Sequence, residues 1–129
     1  MAQKLTFFRC AICGKIEDVY GDEPTAPICC GQPMSALTPN TTDAAQEKHV
    51  PVATLDGDSL SVQVGSVLHP MQDNHFIEWI YVQTETGKKK QILSPGDAPT
   101  AVFNVAGAKP VAVYEYCNLH GLWSAAING

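Results

Sequence analysis

Cys10, Cys13, Cys29 and Cys30 crowd the first quarter of a 129-residue chain, and the fifth cysteine, Cys117, stands alone near the other end. That distribution limits the fold more than any other feature. A secreted disulfide scaffold usually carries an even number of cysteines spread over a short chain. Here the count is odd, and the adjacent Cys29 and Cys30 pair with each other only through a strained ring. In a reducing compartment, metal binding is the better reading. Few apolar side chains surround these thiols, and a module this small needs a metal or a crosslink to fold. Cys10 and Cys13, followed by Gly14, form a chelating knuckle whose backbone amides point back at the sulfurs; the glycine supplies the backbone angles it needs. Cys29-Cys30, followed by Gly31, close the tetrahedron in a distorted form. Four thiolates suit zinc or iron equally by ligand type, so the metal stays open at this point. A redox-active dithiol at Cys10 and Cys13 is a weaker reading, because it leaves the other pair unexplained.

The chain around these cysteines reads as all-β in two parts. Residues 1–38 form the small module, with strands expected at Leu5–Arg9 and Lys15–Tyr20 and a turn at Gly21-Asp22. Residues 39–46 are polar, lack an apolar period and read as a linker. Residues 47–129 are strand-like. Leu60, Val62 and Val64 alternate with polar residues, and Phe76 to Val82 is apolar on both faces. Glu85-Thr86-Gly87-Lys88 reads as a hairpin turn and Lys88-Lys89-Lys90 as a solvated hairpin with a cationic face. Ala101–Val105 and Val111–Tyr116 are further strands. Short strands at regular spacing predict an antiparallel β-sandwich. No convincing amphipathic helix and no internal repeat is found. Glu78 and Glu115 fall within apolar strands, and the sequence assigns neither a role.

A hydrophobic content of 45% allows a packed core, and a net charge of −5 argues against nucleic acid or an anionic membrane as partner. No apolar run approaches the roughly 18 residues of a membrane span. The start, Met1 to Cys10, lacks a long apolar stretch and a cleavage site, so no signal peptide is expected and the chain is placed in the cytoplasm.

A second constellation lies in the larger part. The chain holds four histidines. His49 follows Glu47-Lys48, His69 precedes Pro70, and His75 follows the loop Met71-Gln72-Asp73-Asn74. His120 lies three residues after Cys117 within Tyr114-Glu115-Tyr116-Cys117-Asn118-Leu119-His120-Gly121-Leu122-Trp123. Any one histidine is more ordinarily a surface or core residue; the argument rests on the set, because all five side chains fall at strand ends or in loops. Five such donors exceed the four of structural zinc and suit iron with one position open. Neutral imidazoles and one thiolate leave a ferrous ion at about +1, which attracts a small anion. A thiolate also pushes electron density toward the position opposite it. A blue-copper-like site would leave two of the histidines idle.

These motifs resemble the desulfoferrodoxin family, the two-iron form of superoxide reductase, over nearly the whole chain. Cys10, Cys13, Cys29, Cys30 and Gly31 are similar to desulforedoxin. Glu47-Lys48-His49-Val50-Pro51, His69-Pro70-Met71 with His75-Phe76-Ile77-Glu78-Trp79-Ile80, and Cys117 to Trp123 are similar to the superoxide reductase domain. The resemblance implies a small rubredoxin-like module followed by an immunoglobulin-like β-sandwich, in a homodimer. It implies iron in both sites, as Fe(Cys)4 and Fe(His)4Cys. His49, His69, His75 and His120 would be equatorial ligands and Cys117 axial. Glu47 would take the sixth position in the ferric state and, with Lys48 near the open face, form the catalytic pair. The implied activity is one-electron reduction of superoxide to hydrogen peroxide without release of dioxygen, fed by a rubredoxin-like donor. Two other readings are a non-catalytic two-iron electron carrier, which needs no open position, and a zinc-stabilised interaction module.

Overall fold

Cys10 begins a tight turn as soon as the first strand ends, and the first unit is built around that turn. In the computed structural model, which describes residues 3–127, the chain divides into two compact units between Thr38 and Pro39. Met1, Ala2, Asn128 and Gly129, the outer ends of the two expected modules, lie outside the described residues. In the first unit, β1 (Leu5–Arg9) pairs antiparallel with β2 (Ile16–Tyr20), Leu5 opposite Tyr20 and Arg9 opposite Ile16. Between them the Gly14 amide donates to the Cys10 carbonyl at 2.9 Å. Gly14 takes a φ of 79°, which a side chain would strain. A two-residue hairpin follows, β3 (Ile28–Cys29) with β4 (Gln32–Pro33), and then β5 (Ser35–Leu37) returns to the other edge of β1. Phe8, Cys10 and Met34 form a small buried cluster. So little apolar surface yields little folding free energy, as the cysteine pattern anticipates.

The second unit is a sandwich of seven strands. After one helical turn, α1 (Gln46–His49), come β6 (Pro51–Asp56), β7 (Ser59–Val64), β8 (Ile77–Thr84) and β9 (Lys88–Ile92), then β10 (Thr100–Asn104), β11 (Pro110–Cys117) and β12 (Gly121–Ala126). One sheet has the order β10-β7-β6 and the other β12-β11-β8-β9, and every pairing is antiparallel. The expected alternation is present: Leu60, Val62 and Val64 point inward and pack with Ile77, Ile80, Val82, Phe103 and Val113. The expected turn also closes β8 onto β9, with the Thr84 amide donating to the Gly87 carbonyl at 2.9 Å.

One expectation changes, that of the linker. Lys88-Lys89-Lys90 lie, exposed as expected, on the second arm of the β8–β9 hairpin, which is also an edge of the sheet; lysines there discourage pairing with another chain. Residues 39–46, read as a linker, belong with the second unit. The Asn40 amide donates to the Leu122 carbonyl at 3.1 Å, and its side chain both accepts from the Ser124 amide and donates to the Ser124 carbonyl. As expected, Cys117 ends β11 and His120 lies in the turn that leads to β12.

Antiparallel register gathers the site. Pro51 at the start of β6 lies opposite Val64 at the end of β7, and Ile77 at the start of β8 lies opposite Cys117 at the end of β11. The segments carrying His49, His69, His75, Cys117 and His120 therefore leave these strands at paired ends.

Glu115 is the anomaly of the core. It is fully buried, and neither of its carboxylate oxygens has a hydrogen-bond partner. Burial raises its pKa well above the usual carboxylate range, so the group sits in the core as a neutral acid. An unsatisfied buried polar group costs about 1–3 kcal/mol. Glu115→Met is therefore expected to stabilise the second unit by about that amount in denaturant unfolding. A loss of stability instead would mean that the carboxyl is satisfied in solution.

Candidate metal centres

In the second unit four imidazoles stand in a ring. Neighbouring pairs are edge to face: His49 with His69 at 4.7 Å between centroids, His69 with His75 at 4.6 Å, His75 with His120 at 5.0 Å, and His120 with His49 at 4.8 Å. Across the ring, His49 and His75 are 6.5 Å apart, their planes tilted by 30°. Cys117 belongs to the same cluster, its sulfur 3.4 Å from His69 Nε2 and 3.9 Å from His120 Nδ1. One donor atom from each of the five side chains lies within 4.8 Å of all the others.

The backbone fixes which nitrogen points inward. His49 Nδ1 donates to the Ala45 carbonyl at 2.7 Å, and His69 Nδ1 donates to the Pro70 carbonyl at 2.6 Å. Each bond leaves the Nε2 lone pair directed at the cluster, the usual second-layer support of a metal-binding histidine. His49 Nε2 then lies 3.2 Å from His69 Nε2 and 3.1 Å from His120 Nδ1. His75 Nε2 is buried with no hydrogen-bond partner. Burial lowers the pKa of His49 and His75 and takes His69 down to about 4, so these rings are neutral donors. The Cys117 thiol is pushed up by burial, while the backbone amides of Leu119 and His120 pull it down. Converging lone pairs, an orphaned imidazole nitrogen and a buried sulfur fit one metal ion held by four nitrogens and one sulfur.

Two supporting residues were not anticipated. Trp123, fully buried, stacks on His49 at 5.0 Å and donates from Nε1 to the His120 carbonyl at 3.1 Å. Asn118 accepts from the Phe76 amide at 2.9 Å and donates to the Asn74 carbonyl at 3.1 Å, which clamps the loop that presents His75. Both lie inside the Cys117 to Trp123 motif, but nothing local in the sequence marks what they touch.

Glu47 and Lys48 are exposed on α1, immediately before buried His49. The Glu47 carboxylate is not among the converging donors. Burial is the chief cause that lowers the pKa of His49 and His75, and the Lys48 charge adds the smallest contribution in the same direction.

The first unit gathers Cys10, Cys13, Cys29 and Cys30, also with donors within 4.8 Å of one another. Cys13 and Cys29 sulfurs are 3.6 Å apart, and the Cys13 amide points at the Cys10 sulfur from 3.5 Å. That amide leads the causes that bring the Cys10 thiol down to about 6, whereas shared protons with Cys13 and Cys10 push Cys29 up to about 12. Thiols that compete in this way are reconciled by one cation that takes all four as thiolates. Cys30 has a φ of 53°, the distortion expected of adjacent ligands.

A tetrathiolate module followed by a sandwich whose end carries four imidazoles and a thiolate defines a protein with two separate mononuclear metal sites. A sequence model of desulfoferrodoxin matches residues 41–126. The desulfoferrodoxin of Syntrophotalea carbinolica is 49% identical over 125 residues, covering 97% of this chain and 98% of its own. The superoxide reductase of Pyrococcus horikoshii is 34% identical over 108 residues, 70% of this chain and 94% of its own. Among solved structures, the superoxide reductase from Treponema pallidum superposes with a TM-score of 0.81 at 35% identity, over 95% of this chain and 99% of that one. This chain belongs to the desulfoferrodoxin family, and its two donor groups match the family's two-iron arrangement.

Because each donor group lies wholly within one unit, the sites are expected to load separately. Cys13→Ser is expected to lower bound iron from about two to about one per chain, with loss of stability confined to the first unit. Loss of both irons, by elemental analysis, would contradict this independence.

Proposed function

We propose that the protein is a superoxide reductase that works at the histidine–cysteine site. The observation that carries this reading is the donor set: four imidazoles in a ring with a thiol at the same cluster. Iron bound by His49, His69, His75, His120 and Cys117 would supply the single electron that superoxide takes up. Imidazole ligands would leave the charge of a ferrous ion as it is and the Cys117 thiolate would offset one unit of it, so a small positive charge would remain for an anion, and the thiolate would also donate electron density to the iron. The reaction consumes one superoxide, one electron and two protons, and yields hydrogen peroxide without dioxygen.

The chain's own residues guide the anion. A net charge of −5 repels superoxide on average, so attraction must be local. Lys48, beside His49, supplies that local charge. Two protons come from water or a solvent-linked group. Glu47, on the same exposed turn, would offer a carboxylate as a further ligand to iron held there. A rubredoxin-like protein restores the reduced state, and the chain works in the cytoplasm as a homodimer. No helix among the described residues is long and apolar enough to cross a membrane. The competing reading is an electron carrier with no substrate. It gives no use to a cation beside the ring, and so it ranks second.

Cys117→Ser tests the reading. A hydroxyl is a harder, weaker donor, so the iron-loaded variant is expected to lose roughly hundredfold or more in its reaction with superoxide in pulse radiolysis, with the β-sheet circular dichroism unchanged. Full reactivity in that variant would overturn the assignment of the thiolate.

A further inference from the structure

Gly65 follows β7 and lies directly under the turn that carries Glu47 and Lys48. A Cβ placed on Gly65 would stand 2.6 Å from the Glu47 carbonyl oxygen, 2.9 Å from the Val50 carbonyl oxygen and 3.1 Å from the Lys48 carbonyl carbon. All three are backbone atoms, which do not swing aside as a side-chain tip would. The requirement for glycine here is therefore space. The next two residues complete the seat: the Val67 amide donates to the Glu47 carbonyl at 2.9 Å, and the Ser66 hydroxyl donates to the same oxygen at 3.3 Å. The seat is itself braced, since Gln63 Nε2 donates to the Gly65 carbonyl at 2.8 Å and the Gly65 amide donates to the Val67 carbonyl at 3.1 Å. Two residues later the His69 amide donates to the Val64 carbonyl at 2.8 Å, so the same turn also delivers His69 to the ring.

We propose that Gly65, Ser66 and Val67 form a positioning element of the reactive site, which fixes the height and orientation of the Glu47-Lys48 turn relative to the imidazole ring by gripping the Glu47 carbonyl. The physical need is plain. Lys48 and Glu47 have exposed side chains on a helix of four residues. Such a helix is too short to hold itself. Its N-cap residue, Ala45, offers no side-chain hydrogen bond. Without an external grip the turn would fray, and the cation would average over many positions. None of Gly65, Ser66 and Val67 supplies a donor to the cluster. They act through Glu47 and Lys48.

This inference rests on the reading that Lys48 steers an anion to the site, and the experiment separates the two. Four iron-loaded proteins are compared by pulse radiolysis from the reduced state across a range of salt: wild type, Lys48→Ala, Gly65→Ala and the double variant. Lys48→Ala is expected to slow the reaction about threefold or more and to flatten its salt dependence. Gly65→Ala is expected to do the same in part, and the double variant should be no slower than Lys48→Ala, because a seat has nothing to position once the cation is gone. The visible spectrum of the oxidised histidine–cysteine site should also shift in Gly65→Ala, as Glu47 is displaced, while that of the tetrathiolate site stays as it was. Ser66→Ala removes one grip without adding an atom and should show a smaller change in the same direction, restored by Ser66→Thr; it carries the test if Gly65→Ala fails to load iron. Unchanged rate and salt slope in Gly65→Ala and Ser66→Ala, or additive effects with Lys48→Ala, would overturn the positioning role. If Lys48→Ala itself reacts like wild type, the steering reading fails instead, and an effect of Gly65→Ala on rate would then have to act through something other than Lys48, which also overturns the proposal.

Discussion

His49 Nε2 faces His69 Nε2 across 3.2 Å and His120 Nδ1 across 3.1 Å, with a buried sulfur beside them. With Nδ1 of His49 and of His69 each given to a backbone carbonyl, their two Nε2 lone pairs meet and gain nothing from each other, and burial keeps a proton from entering between them. A cation shared by all five donors is what makes the arrangement favourable. The sandwich is organised to tolerate this demand. Its antiparallel registers bring the ends of four strands together, and backbone carbonyls at Ala45 and Pro70 hold two of the rings in the required tautomer. Metal binding and local folding are then one process at this end of the molecule.

The first unit solves the same problem with fewer resources. Its core is a handful of side chains around Phe8, Cys10 and Met34. The thiols are placed by backbone, through the Gly14 turn and the left-handed Cys30. That difference explains why one site is exposed at Cys13 and Cys30 while the other is buried at His49, His69 and Cys117. A buried, five-donor site can leave one face to a substrate; an exposed tetrathiolate is full and can only hold its metal or pass an electron.

Much of this was legible in the sequence, for physical reasons that differ by element. Leu60, Val62 and Val64 announce β7 because a half-buried strand must alternate. The five donors could be gathered on paper because none interrupts an apolar pattern. The elements that escaped have no such signature. Residues of β9 are all exposed, so the lysines read as a solvated hairpin but carry nothing that marks this arm as the edge of the sheet. The four residues of α1 are too few to show a helical period. Asn40 looks like linker because its partners lie on β12, far along the chain. Gly65 was passed over for the same reason: what forbids a side chain there is the backbone of Glu47 to Val50, brought near only by folding. Contacts made at a distance in sequence define the support of the site, while the ligands themselves are written in residue type and spacing.

In the proposed function, the histidine–cysteine site gives one electron to superoxide and takes none back. The most direct measurement mixes the fully reduced two-iron protein with a known, limiting pulse of superoxide and follows hydrogen peroxide, dissolved dioxygen and the oxidation state of the site together. A superoxide reductase forms one hydrogen peroxide and oxidises one site for each superoxide consumed, with no rise in dioxygen, and that is the expected result. Dioxygen appearing in step with half of the superoxide consumed, while the site stays reduced, would mean dismutation and would contradict it.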